Sequence, residues 1–125
     1  MSDDRLKAFA NENYLNLMTF KKDGTGVPTP VWFAERQGTI YVYTLAESWK
    51  VKRVRHNPKV RLAPCDMRGN LKGEWLDAEA RIVTGDEEQL GHQLLDKKYG
   101  WMKKIGNLFS RLRKRQRTVM AINLV

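Results

Sequence analysis

The chain has 125 residues, of which 42% are hydrophobic and 30% charged, and its 23 basic and 14 acidic side chains give a formal net charge of +9. That length supports one domain, residues 1–125, with a packed core, and that composition excludes disorder, a fibrous architecture and a second domain. The single cysteine, Cys65, excludes an internal disulfide framework and a cysteine-cluster metal site, so a reducing cytoplasm is the expected compartment.

Taken in chain order, Leu6, Phe9 and Ala10 recur at helical spacing behind Ser2, a cap candidate, and predict a short amphipathic helix. Neither a secretory signal nor a membrane span is expected in this charged opening stretch, nor a span elsewhere. Tyr14 to Phe20 reads as a strand, and Lys21 to Gly26 as a turn rich in residues that tolerate positive φ. Val27 to Glu35 is the expected second arm of a hairpin. Pro28 and Pro30 cannot donate ladder hydrogen bonds, so this arm must be an edge or leave backbone free. After the turn Arg36-Gln37-Gly38, the run Thr39 to Thr44 has the strongest strand propensity in the chain.

Ser48 caps an expected helix to His56, with Trp49, Val51 and Val54 as its apolar positions and Asn57-Pro58 as its stop. Val60 to Cys65 resumes as a strand, Asp66 to Asn70 is a turn, and Leu71 to Val83 reads as one longer strand. Thr84 to Glu87 fits a capping box opening a helix that Gly100 is placed to break. Trp101, Ile105, Leu108, Phe109 and Leu112 predict a further amphipathic helix with a basic back, and Val119 to Val125 a closing strand. About six strands with few long crossovers favour an α+β class, a mostly antiparallel barrel with short helices at its ends.

The positive charge is segregated. Six basic residues and no acid lie between Lys50 and Arg61, nine more and no acid between Lys97 and Arg117, and the remainder of the chain has 8 bases against 14 acids. Two positive patches on an acidic body point to an anionic partner. Nucleic acid, an anionic membrane and a phosphorylated small molecule all meet that description.

Local context is more selective. In Tyr43-Thr44-Leu45-Ala46-Glu47-Ser48-Trp49-Lys50-Val51-Lys52 a strand runs through a short loop into a helix start, where free backbone N–H groups favour an anion. Lys50 falls in the first helical turn, where a cation is disfavoured by about 0.3–1 kcal/mol unless something compensates it. A bound phosphate would compensate; two solvated surface lysines are the plainer alternative. Gly24, Val27 to Phe33, Ile40 to Thr44, Ser48-Trp49-Lys50 and Asn57 to Val60 follow in that order at close spacing. On these residues the chain resembles the pyridoxamine-phosphate-oxidase-like flavin-binding split barrels, particularly the small stand-alone branch that uses flavin mononucleotide (FMN) or the deazaflavin coenzyme F(420). The resemblance is clear from Tyr14 to about Val83, and Lys98-Tyr99-Gly100 and the final strand are similar too.

The resemblance implies a homodimeric split barrel with two cofactor sites at the dimer interface, each lined by both chains. It places Ser48 and Lys50 on the cofactor phosphate, with Lys52 as a second cation and Trp49 between them. Thr44 would help at the phosphate end, while Thr29, Pro30, Val31 and Trp32 would lie along the ring. The oxidases proper carry an arginine and a lysine around the strand that here holds Thr29 and Ala34, and an arginine where Trp49 stands, which argues against vitamin interconversion itself. The implied activity is hydride transfer to or from a small organic substrate, chemistry the cofactor ring supplies, so no catalytic side chain need be visible.

Three other features have plainer readings. His56 and His92 fall on separate expected helices and suit surface or core roles, and Cys65, with no partnered base, reads as a buried small hydrophobe. Trp75 and Trp32 can stack on a ring or pack in the core. Five cations between Arg111 and Arg117 can form a solvated face, reach an acidic cofactor tail, or contact nucleic acid, although nothing beside them is shaped to enter a groove. The rivals to an oxidoreductase are a non-catalytic cofactor carrier on the same fold and a basic nucleic-acid-binding module.

Overall fold

The computed structural model describes residues 4–103 and 117–125, the side chains of 101–103 excepted. A 3₁₀ helix, Asp4–Phe9, precedes strands β1 (Tyr14–Phe20), β2 (Gly26–Val31), β3 (Phe33–Arg36) and β4 (Thr39–Leu45), then helix α1 (Trp49–His56). Strands β5 (Lys59–Cys65) and β6 (Leu76–Val83), helix α2 (Gly85–Lys103) and strand β7 (Arg117–Leu124) complete the order. The seven strands form one sheet, β2-β1-β5-β6-β7-β4-β3, in which every neighbouring pair is antiparallel. The fold is α+β, as expected. Among the described residues no helix is long and apolar enough to cross a membrane.

The sheet curls around a core of side chains from alternate strand positions. Leu15, Leu17, Ile40, Val42, Leu62, Met120 and Ile122 are almost wholly buried there, and Phe9 of the 3₁₀ helix and Val51 and Val54 of α1 complete the cluster. Burial of each such side chain is worth about 1.5–3 kcal/mol. A second cluster lies outside the barrel, where Leu95 and Tyr99 of α2 cover Ala34, Tyr41, Val119 and Ala121. Strands β4 and β7 are therefore buried on both faces, which is why Thr39 to Leu45 reads as a nearly continuous apolar and aromatic run.

The expected arm Val27 to Glu35 is two strands, so the sheet has seven strands where about six were expected. The chain leaves the ladder at Trp32 because Tyr99 satisfies the backbone beyond it: its hydroxyl accepts from the Phe33 N–H at 3.0 Å and lies 2.9 Å and 2.8 Å from the Phe33 and Asn13 carbonyl oxygens. Lys98 Nζ donates to the same Phe33 carbonyl at 2.8 Å. Strands β2 and β3 thus become the two edges of the sheet, joined by one residue, and the barrel stays split between them. Pro28 and Pro30 sit on β2, which pairs on one side only, as the missing N–H groups require.

Other boundaries also move. The strand expected from Leu71 begins at Leu76, because residues 71–75 fold back on the end of β5, where Lys72 N–H donates to Pro64 O at 2.8 Å. The expected Asp66 to Asn70 turn is present, with Asp66 Oδ1 accepting from the Arg68 and Asn70 N–H groups at 2.8 and 2.9 Å. Helix α2 runs on through Gly100, and Glu87 gives both carboxylate oxygens to Arg81, at 2.7 and 2.8 Å, where a capping box was expected. The final strand starts at Arg117, two residues before the expected Val119. The Ser2 cap, the helix reading over Ile105 to Leu112 and the block Arg111 to Gln116 lie outside the described residues.

Candidate functional site

The first turn of α1 is built as the sequence predicts. Ser48 is the N-cap, with extended backbone, and its Oγ accepts from Val51 N–H and lies 2.9 Å from Thr44 Oγ1 at the end of β4. No acidic residue stands in the first turn. Lys50 is half-buried there, and burial, with Arg53 nearby as a second cause, holds its ammonium pKa below the usual lysine value. Among the described residues no carboxylate pairs with it. A desolvated cation at the positive end of a helix, with a like charge beside it, is an arrangement that an anion relieves.

Lys50 opens onto a cleft of about 250 Å³ at the split in the barrel. Pro30, Val31 and Trp32 line one end and Thr44, Ser48, Lys50 and Arg117 the other, with Tyr43 and Leu45 between. The apolar end is held rigid, since the Trp32 ring stacks on Tyr99 at 4.6 Å and an interplanar angle of 4°. Tyr43 is fixed by its hydroxyl, 2.7 Å from Asp96 Oδ1 and 3.0 Å from His92 O, and burial followed by the Asp96 hydrogen bond raises its pKa well above the ordinary phenol value. Arg117 lies with its guanidinium carbon 5.0 Å from the centre of the Tyr43 ring. On the sheet face that carries Pro30, its ladder partner Asn16 is buried; its Nδ2 donates to Gly69 O at 3.2 Å and its Oδ1 has no donor among the described residues.

Six of the nine residues named from the sequence, Pro30, Val31, Trp32, Thr44, Ser48 and Lys50, thus line one cleft. Thr29 sits one step back on β2, opposite Leu17, and does not line it. Trp49 and Lys52 turn to the other side of α1, where they line a separate cleft with Arg53 and His56. At about 100° per residue, Lys50 and Lys52 point to opposite sides of the helix while positions 49, 52, 53 and 56 share one face, a signal the sequence did contain.

Tyr43, Leu45 and Arg117 were not foreseen as lining. Arg117 was visible as the last cation of its block, but its position depends on pairing with Leu45 in the β4–β7 ladder.

Neither histidine nor Cys65 lines the cleft that Lys50 opens onto. His56 ends α1 in solvent, while His92 on α2 lies 5.1 Å from the Tyr43 ring and 3.6 Å from a Glu88 carboxylate oxygen. Cys65 is buried, and its thiol pKa is raised chiefly by that burial. Among the described residues no group of three or more histidines, cysteines and carboxylates could hold a metal ion.

An apolar slot closed by an aromatic wall at one end and ringed by hydroxyls and two cations at the other suits a planar ring bearing a phosphate. Solved structures with this fold include the heme storage protein HutZ of Vibrio cholerae (18% identity, 98% of this chain and 89% of that chain covered, TM-score 0.67). An FAD-binding protein of Mesorhizobium loti (16%, 95% and 86%, TM-score 0.65) and an F(420) reductase (17%, 98% and 94%, TM-score 0.63) share it as well. No curated protein matches the chain. The sequence profile of the pyridoxamine 5'-phosphate oxidase family matches residues 2–125, and the chain belongs to that family.

Proposed function

We propose that the protein is an oxidoreductase that holds FMN or the deazaflavin coenzyme F(420) in the cleft between Trp32 and Lys50, as a homodimer, and passes hydride to or from a small organic substrate. The observation that carries this reading is Lys50: a half-buried ammonium at a helix N-terminus, beside Ser48 and Thr44, with no described carboxylate to neutralise it. Ser48, Lys50 and Arg117 would hold the phosphate, and Pro30, Val31 and Trp32 would exclude water along the ring. A bound flavin or deazaflavin supplies hydride transfer from its own ring, so the chain's part is orientation and electrostatics. The fold's relatives support the ligand class, since one is an FAD-binding protein and another an F(420) reductase.

A second reading is a carrier that sequesters the same cofactor without turnover, since a heme storage protein, HutZ, shares the fold. The test is the absorbance spectrum of the purified protein, then titration with each cofactor and an assay for reduction of quinone-like acceptors. Binding of either cofactor with turnover supports the enzyme, and binding without turnover supports the carrier. A colourless protein that binds neither contradicts both.

The dimer rests on the open outer face of β1 and β2, where Pro28 and Pro30 are exposed and Met18 and Phe20 are half-covered. Sedimentation of the cofactor-loaded protein at micromolar concentration should show two chains per particle, and monomer alone would contradict it.

A further inference from the structure

The other side of α1 carries a separate cleft of about 490 Å³ between the β1–β2 turn and the helix, which the proposed cofactor leaves unused. Lys21, Lys22, Lys52 and Arg53 line it with Phe20 and Trp49, and no carboxylate does. Lys21 and Lys22 lie outside the two basic blocks of the sequence, and folding brings them against the first of these. Among the described residues no carboxylate forms an ion pair with any of the four cations. The acid of the turn, Asp23, is engaged with its own loop, where Oδ1 accepts from Thr25 N–H at 2.9 Å. The uncompensated charge is local: past Phe20, which both share, the next cleft holds Lys59 and Arg61 but also Asp77 and Glu79, and Arg61 pairs with Asp77 at 2.9 Å.

Trp49 is 69% exposed, and Lys52 Nζ lies over one face of its ring, 4.5 Å from the centre. An indole left in water beside uncompensated cations is a stacking platform within an electropositive groove. Arg53 is already ordered, because its Nε donates to Thr19 Oγ1 at 2.7 Å, so its guanidinium loses little freedom on meeting an anion. Four cations divided between a turn and a helix exceed the charge of one phosphate and match successive phosphates along a chain, and a base offers its face to an indole only when it is unpaired. We propose that this cleft binds single-stranded nucleic acid, with one base stacked on the open face of Trp49 and the flanking phosphates held by Lys21, Lys22, Lys52 and Arg53. A bilayer is the poorer match, because the apolar positions of α1, Val51 and Val54, are buried in the barrel and leave the helix no apolar face to lay on lipid. Lys50 and the cofactor cleft lie on the opposite side of α1, so strand and cofactor bind independently.

The experiment follows fluorescence anisotropy of a labelled oligothymidylate of about eight nucleotides, within the site sizes such grooves take, and of an abasic strand of the same length. Each is titrated with the full chain as wild type, Trp49→Ala and the double variant Lys21→Ala/Lys22→Ala, all surface changes whose folding a thermal melt checks. Wild type should bind oligothymidylate at least about fivefold more tightly than the abasic strand, the lower end of the range for one stacked base, and Trp49→Ala should abolish that difference. Affinity should fall with salt, and the lysine variant should flatten the logarithmic slope by about 1.4, at about 0.7 for each phosphate no longer neutralised. Equal binding by wild type and both variants would place the strand elsewhere on the chain and overturn the inference, as would no binding at all or equal binding of the two strands by wild type. A matching duplex bound as tightly as the single strand, thymidine monophosphate displacing the strand at equal nucleotide concentration, or binding to phosphatidylserine vesicles without binding to the strand would overturn it in favour of a duplex, a free nucleotide or a lipid surface.

Discussion

The two halves of the barrel differ in what lies on their outer faces. On β4 and β7, Tyr41, Val119 and Ala121 are covered by α2 as fully as Val42, Met120 and Ile122 are covered by the interior. On β1 and β2, Met18 and Phe20 are only half-covered and Pro28 and Pro30 stay in solvent. The half closed by its own chain is where stability is concentrated, and the open half leaves room for a ligand or a partner. The cleft sits on the seam, where Trp32 leaves the open half and stacks on Tyr99 of the closed one.

The comparison breaks first at Tyr99. Tyr99→Ala removes a nearly inaccessible side chain that holds Phe33 and Trp32 in place, and should cost about 3–5 kcal/mol in denaturant unfolding. Tyr99→Phe keeps the ring but strands the Phe33 N–H, and should cost about 1–3 kcal/mol. Values within a few tenths of wild type would mean that α2 is not what holds the split.

Lys98, on the same helix, sharpens the comparison through pH. Burial pulls its pKa down to about 8, with Glu12 acting weakly the other way, while its Nζ donates to Phe33 O. A lysine pKa lowered in the folded state means that the unfolded chain binds more protons between pH 8 and the ordinary lysine value, so this group's contribution to stability rises with pH across that window. Lys98→Met should flatten the rise relative to wild type in unfolding experiments at pH 7.5, 8.5 and 9.5. Parallel curves for the two proteins would contradict the assignment.

The smallest effect belongs to the solvent-facing ladder pair on β5 and β6. Arg61 and Asp77 pair at 2.9 Å with both side chains more than half exposed, so Asp77→Asn should change stability by less than about 1 kcal/mol, and by less again at high salt.

What could be read from the sequence follows the range of the interactions involved. Thr39 to Leu45 and the Ser48 cap are local, set by propensity and by one side chain reaching three residues on, and both stand where expected. The split at Trp32 is set by Tyr99, 67 residues further along the chain, and no local signal marks it. Arg117 enters the cleft through its ladder pairing with Leu45, which only the closed sheet defines. Lys52 shows a different limit: the resemblance groups it with Lys50, while helical geometry turns it to the opposite side, where it lines another cleft.

The central claim is that Lys50 binds the phosphate of a ring cofactor, and calorimetric titration of FMN into wild type and Lys50→Ala tests it most directly. The variant should weaken binding by about 1.5–3 kcal/mol, the range for a hydrogen bond to a charged group, with an unchanged melting temperature. Equal affinity in the two proteins would place the phosphate elsewhere and contradict the account.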